Sequence, residues 1–142
     1  MRTQLRRLTM LGAAAAIGVT AFGAVPAEAA AKPALTLHCK SSKGDEGWVY
    51  IYTTSNPLHN KITGFKYKIK LGKGGRKSKN DVTVGDGGVA PTKTTRTGDR
   101  AIGDNKPHGF GRGYSRGNGG IGVIFIFNHA GKDPRCHQQK SF

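Results

Sequence analysis

Five histidines, His38, His59, His108, His129 and His137, are the side chains whose ordinary titration falls near neutral pH. A ribonuclease would use two of them, or one with a glutamate, as general base and acid beside a cation that steadies the phosphate. His38 precedes Cys39 and His137 follows Cys136, so a bridge between those cysteines would carry the two imidazoles toward each other. Of the seven carboxylates after the first thirty residues, Asp45, Glu46, Asp86, Asp99 and Asp104 border a glycine, as turn residues do, whereas Asp81 and Asp133 do not. None form the paired acids of glycoside hydrolysis, and neither a nucleophile elbow nor an HExxH zinc motif is present. No catalytic residue, metal ligand or cofactor is assigned.

The cations make a sharper pattern. Lys61, Lys66, Lys68, Lys70, Lys73, Arg76, Lys77 and Lys79 place eight positive charges within one short span that contains no acid. Lys66, Lys68 and Lys70 alternate along a single strand face, and Arg76, Lys77 and Lys79 follow in the loop. Such a stripe attracts nucleic acid, teichoic acid, an anionic membrane or an acidic protein. Equally, lysines on a solvated strand discourage edge-to-edge aggregation and need no ligand. A second candidate is GFGRGYSRGNGG, whose Arg112, Tyr114 and Arg116 have the residue types that stack on bases and pair with phosphates. One irregular copy is not a repeated Arg/Gly segment, and its position before a hydrophobic run makes it a glycine-rich connection between strands that can still touch a partner.

Strands must position these groups. In ALTLHCK, Leu35, Leu37 and Cys39 alternate with Thr36, His38 and Lys40, which predicts a half-buried strand with His38 facing away from the core. WVYIYTT is apolar or aromatic at both parities, so a central strand covered on both sides is expected, with Tyr50 and Tyr52 in the core. GFKYKIKL sets Phe65, Tyr67, Ile69 and Leu71 on one face and the lysines on the other. Further strands are expected near 82–84, over 99–102 and in IGVIFIFN; the remaining histidines then fall in turns or loops. No window after the first thirty residues has helical periodicity. Short strands joined by glycine-rich turns predict an all-β domain, a small immunoglobulin-like β-sandwich, with a small β-barrel as the alternative.

The first residues read as an address. Arg2, Arg6 and Arg7 precede an apolar run from Leu8 to Val25, Pro26 breaks it, and Ala27-Glu28-Ala29 follows. This is the pattern of a secretory signal peptide over 1–30, cleaved after Ala29 or Ala30, which leaves 31–142 as one domain. Arg6-Arg7 invites comparison with a twin-arginine signal, but Thr9 stands where that signal wants an apolar residue, so ordinary export is expected. The remainder carries 20 Lys and Arg against seven acids, a net charge of +13. In an oxidising compartment Cys39 and Cys136 are expected to form one disulfide that pins the two ends together, with Trp48 near it.

The leader, the small size, the single cystine and the phrase EGWVYIYTTSNPLHNKITGFKYKIKL resemble those of small secreted proteins of streptomycete-type actinobacteria, including the adapter subunit of umbrella toxin particles. That resemblance implies an immunoglobulin-like adapter linking a lectin-like subunit to a large toxin chain; it carries no site residues over. Two functions follow as expectations. One is a secreted, non-enzymatic adapter that binds another secreted protein through strand edges or loops, with Ala31 to Ala34 free to add to a partner. The other is a cationic polyanion-binding or nuclease-type antimicrobial protein working through the lysine face.

Overall fold

The computed structural model describes residues 32–54, 61–86, 93–113 and 120–140. All of them belong to one compact unit, 31–142. Eight strands are present among the described residues: β1 Leu35–Lys40, β2 Glu46–Thr53, β3 Ile62–Lys70, β4 Asp81–Asp86, β5 Lys93–Arg96, β6 His108–Phe110, β7 Ile121–Ile126 and β8 Arg135–Lys140. They form two antiparallel four-stranded sheets, β1-β2-β3-β6 and β5-β4-β7-β8. The arrangement is a sandwich and not a closed barrel.

Alternation makes the layers. Leu37 and Cys39 of β1, Val49 and Ile51 of β2, and Phe65, Tyr67 and Ile69 of β3 point inward from the first sheet. Val82 and Val84 of β4, and Ile121, Val123 and Phe125 of β7, meet them from the second. Each valine, leucine, isoleucine or phenylalanine among them contributes roughly 1.5–3 kcal/mol when fully buried. The Phe125 ring needs a gap in the opposite layer, and Gly47 supplies it: a methyl group there would sit 2.6 Å from the ring. The expected cystine joins Cys39 on β1 to Cys136 on β8, so it ties an edge strand of one sheet to an edge strand of the other, with Cα atoms 5.7 Å apart.

Several expectations need correction. WVYIYTT is covered on one side only, because no strand among the described residues packs on the outer side of the first sheet; Tyr50 and Tyr52 are half-buried on that outward face. Trp48 is there too, stacked on His38 and pointing away from the cystine. The strand expected over 99–102 is a single bridge between Asn80 and Ala101, whereas the paired strand is β5, a few residues earlier. His108 lies in β6 and His137 in β8, not in loops. Ala34 is not free, since its amide donates to the Ile51 carbonyl at 2.8 Å and extends the β1–β2 pairing.

Candidate functional site

The outward face of the first sheet is built by register. Along β2 the side chains of Glu46, Trp48, Tyr50 and Tyr52 share one side, and β3 sets Lys70 opposite Glu46, Lys68 opposite Trp48 and Lys66 opposite Tyr50. On the other flank β1 sets Lys40 opposite Glu46, His38 opposite Trp48 and Thr36 opposite Tyr50. A row of rings therefore runs between two rows rich in cations. The His38 ring stacks on Trp48 with centroids 4.6 Å apart, and the Lys68 ammonium stands 4.0 Å from the Trp48 centroid. They come from the strands on either side of β2, so the indole is engaged from both flanks. Lys66 Nζ is 5.4 Å from the Tyr52 centroid. Such cation–ring contacts at exposed sites contribute about 0.5–1 kcal/mol each.

Electrostatics on this face are one-sided. Glu46 is the one carboxylate in the outward rows of β1, β2 and β3, and it meets His38 Nε2 at 3.2 Å and Lys70 Nζ at 3.4 Å. Partial desolvation raises its pKa, but Lys70, the bond from His38 and the charge of Lys40 outweigh that and hold it below the ordinary glutamate value. Glu46 therefore stays ionised, yet it is outnumbered by the cations around it. Burial, together with neighbouring Tyr52, pushes the Tyr50 phenol up, so it stays neutral.

The remaining predicted cations divide between two ends of the molecule. Lys70 leads straight into the segment carrying Arg76, Lys77 and Lys79, all exposed. Buried Asn80 holds that segment: its Nδ2 donates to the carbonyls of Arg76 at 2.9 Å and Lys77 at 3.1 Å, while its Oδ1 accepts the Asn128 amide at 2.8 Å. Arg112, also exposed, follows β6, which pairs with β3 at Phe65–Tyr67 and runs toward the Ile62 end. It is thus not brought together with Arg76, Lys77 and Lys79. Tyr114 and Arg116 lie outside the described residues.

Compared with protein-family models, curated proteins and solved structures, the chain matches none. The face has to be read from its own chemistry.

The histidines do not form the anticipated pair. Cys39 and Cys136 both point between the sheets, so the alternation of each strand sends His38 to the outer face of the first sheet and His137 to the outer face of the second. Among the described residues the buried histidine is His129, whose Nε2 lies 3.0 Å from both oxygens of Asp45. Asp45 also accepts the Ser41 hydroxyl at 2.8 Å and the Gly72 amide at 2.8 Å. Desolvation would raise its pKa, but these bonds and the His129 interaction together pull it below the ordinary aspartate value. Serine, aspartate and histidine are all present, but Asp45 sits between the other two, which is the order of a structural clamp and not of a nucleophile with its base. No group of three or more His, Cys, Asp or Glu among the described residues is disposed to hold a metal ion.

Trp48, Tyr50 and Tyr52 are therefore the site residues that sequence reasoning assigned elsewhere. The signal was available: if Val49 and Ile51 face the core, the three rings must share the lysines' side.

Proposed function

We propose that the chain is a secreted, non-catalytic binding module that holds single-stranded nucleic acid along the outward face of its first sheet. The carrying observation is the alternation of rings and ammonium groups: Trp48, Tyr50 and Tyr52 along β2, with Lys66 and Lys68 against them and Lys70 beyond. Single-strand binders combine a cationic track for the backbone with aromatic rings for the bases, a chemistry that tolerates any sequence. Side chains two residues apart on a strand are about 6.8 Å apart, so the rings offer a ladder along β2. With Trp48 already in contact with His38 and Lys68, bases are expected on Tyr50 and Tyr52, and the indole holds the nearby lysine in place. The net charge of +15 for the whole chain favours the encounter with any polyanion.

The adapter reading keeps one observation in its favour. On the outer face of the second sheet Ile124 is 48% exposed, between Thr83 and His137 and beside Gly122, an apolar side chain that another protein could cover. The edge strands β5 and β8, with the sequences KTTR and RCHQQK, are polar and cationic, which disfavours addition of a partner's strand.

Trp48 is the only tryptophan in the chain, so its fluorescence reports directly on this face. Titrating a short single-stranded oligonucleotide into residues 31–142 is expected to change that fluorescence, with a duplex of the same length binding more weakly because its base faces are hidden. The Lys66→Gln, Lys68→Gln, Lys70→Gln variant is expected to lower the log–log salt slope by about 2. Unchanged affinity and slope in that variant would overturn the reading and shift the weight to a secreted protein partner.

A further inference from the structure

We infer that a second, separate ligand site lies between the β1–β2 turn and the β7–β8 turn, and that it takes a phosphate or sulfate ester of about the size of one sugar. A cavity of about 810 Å³ opens there, lined by Ser42, Lys43, Lys132, Asp133, Pro134 and Arg135. That volume lies within the range of small-ligand clefts and leaves room for a body beyond the anion itself.

Half of the lining residues are cations. Lys43 reaches across from one turn to the other, its Nζ donating to the Lys132 carbonyl at 3.2 Å. Among the described residues no carboxylate comes within ion-pair distance of Lys43, Lys132 or Arg135. Asp133 is the cavity's one acid, and its Oδ1 accepts the His129 amide at 2.9 Å. Three like charges gathered around one opening with a single carboxylate leave a net positive cleft. Arg135 adds a planar fork that fits two oxygens of a tetrahedral anion at once.

The turns that carry these cations are braced from beneath. Ser41 Oγ accepts the amides of Lys43 at 3.2 Å and Asp45 at 3.1 Å, and Asp45 in turn binds His129 of the facing turn. The cystine ties β1 to β8 one residue beyond Arg135. Bracing matters because cations fixed in place do not have to be gathered when the anion arrives, which is the advantage of a preorganised site. The neighbouring segment is fastened to the same end by the Gly75–His129 bridge and by the Arg76 amide bonded to the Asn128 carbonyl, so Lys73, Arg76 and Lys77 strengthen the field without lining the cavity.

Amide NMR on residues 31–142 tests this with three probes: a sugar phosphate, the corresponding sugar sulfate and inorganic phosphate. The expected result is saturable shifts of the Ser42, Lys43, Lys132, Asp133 and Arg135 amides, and an affinity about ten-fold lower in Lys43→Gln, Lys132→Gln, Arg135→Gln. The Lys66→Gln, Lys68→Gln, Lys70→Gln variant should bind the same probes as the unchanged protein does, so this site stands or falls independently of the ring-bearing face. Tighter binding of an ester than of inorganic phosphate would support a site for the whole ester. Shifts spread evenly over the lysine amides of the surface, or unchanged affinity in the cavity variant, would overturn the inference; the spectrum itself reports whether each variant is folded.

Discussion

Two histidine–carboxylate contacts in this protein have almost the same geometry and opposite meanings. His129 and Asp45 meet at 3.0 Å with side chains 3% and 0% exposed; His38 and Glu46 meet at 3.2 Å with side chains 44% and 20% exposed. Inside, every acceptor of Asp45 is committed, to Ser41, Gly72 and His129, so the group fastens three loops and has nothing left for a ligand. Outside, Glu46 is shared among more positive groups than it can neutralise, and the surplus charge of Lys66, Lys68 and Lys70 faces solvent beside aromatic rings. Satisfied polar groups hold this fold, and the unbalanced ones on the outer face are what the proposed binding uses.

The comparison can be broken first at its structural pole. Cys39→Ser with Cys136→Ser removes a bridge spanning 97 residues and is expected to lower stability by about 4–5 kcal/mol, read from the urea midpoint. Oligonucleotide affinity of the fraction that remains folded should not change, because the cystine points between the sheets while the rings point away from them. A loss of affinity at full stability would show that the two regions are not separate.

The next effect is smaller and depends on pH. Asp45 has a lower pKa folded than unfolded, so its contribution is fully present above the ordinary value of 3.8 and is lost as pH falls through the depressed folded value. Asp45→Asn is expected to lower stability by roughly 3 kcal/mol at neutral pH, since it leaves the clamp without its charge. It should also flatten the acid limb of the stability profile below about pH 4, where the unchanged protein loses this contribution. An acid limb as steep as that of the unchanged protein would move the origin of acid sensitivity to another carboxylate.

How far the sequence disclosed these two regions follows from which forces are local. Period-two alternation is local, so β1, β3 and β7, the all-β class and the direction of Lys66, Lys68 and Lys70 were all legible. In β2 both parities are apolar or aromatic, and alternation alone does not say which side is covered; packing against the second sheet on one side, with no further layer among the described residues on the other, decides it. β8, with the sequence RCHQQK, has no hydrophobic period at all and becomes a strand because the cystine and the ladder to β7 hold it. β5 and β6 are short and polar or glycine-containing, and pairing with β4 and β3 defines them. The cavity cations were the least visible, since Lys43 and Lys132 meet across 89 residues of sequence. The Asp45–His129 clamp was hidden for the same reason, spanning 84.

The smallest effect separates the two outer faces. Ile124 stands 48% exposed at the middle of the second sheet's outer surface, where it contributes little to the core, so Ile124→Ser should change stability by no more than about 0.5 kcal/mol. Nucleic-acid binding should be untouched, because β7 lies in the other layer from the rings. The informative readout is instead what co-elutes with tagged protein from nuclease-treated culture supernatant. A protein captured in constant ratio by the unchanged chain and lost with Ile124→Ser would assign that patch to a protein partner and leave the first sheet to the polyanion, so that the molecule would bridge the two. Capture that persists in Ile124→Ser but disappears with the lysine variant would place both partners on one face and remove the distinction between the sheets.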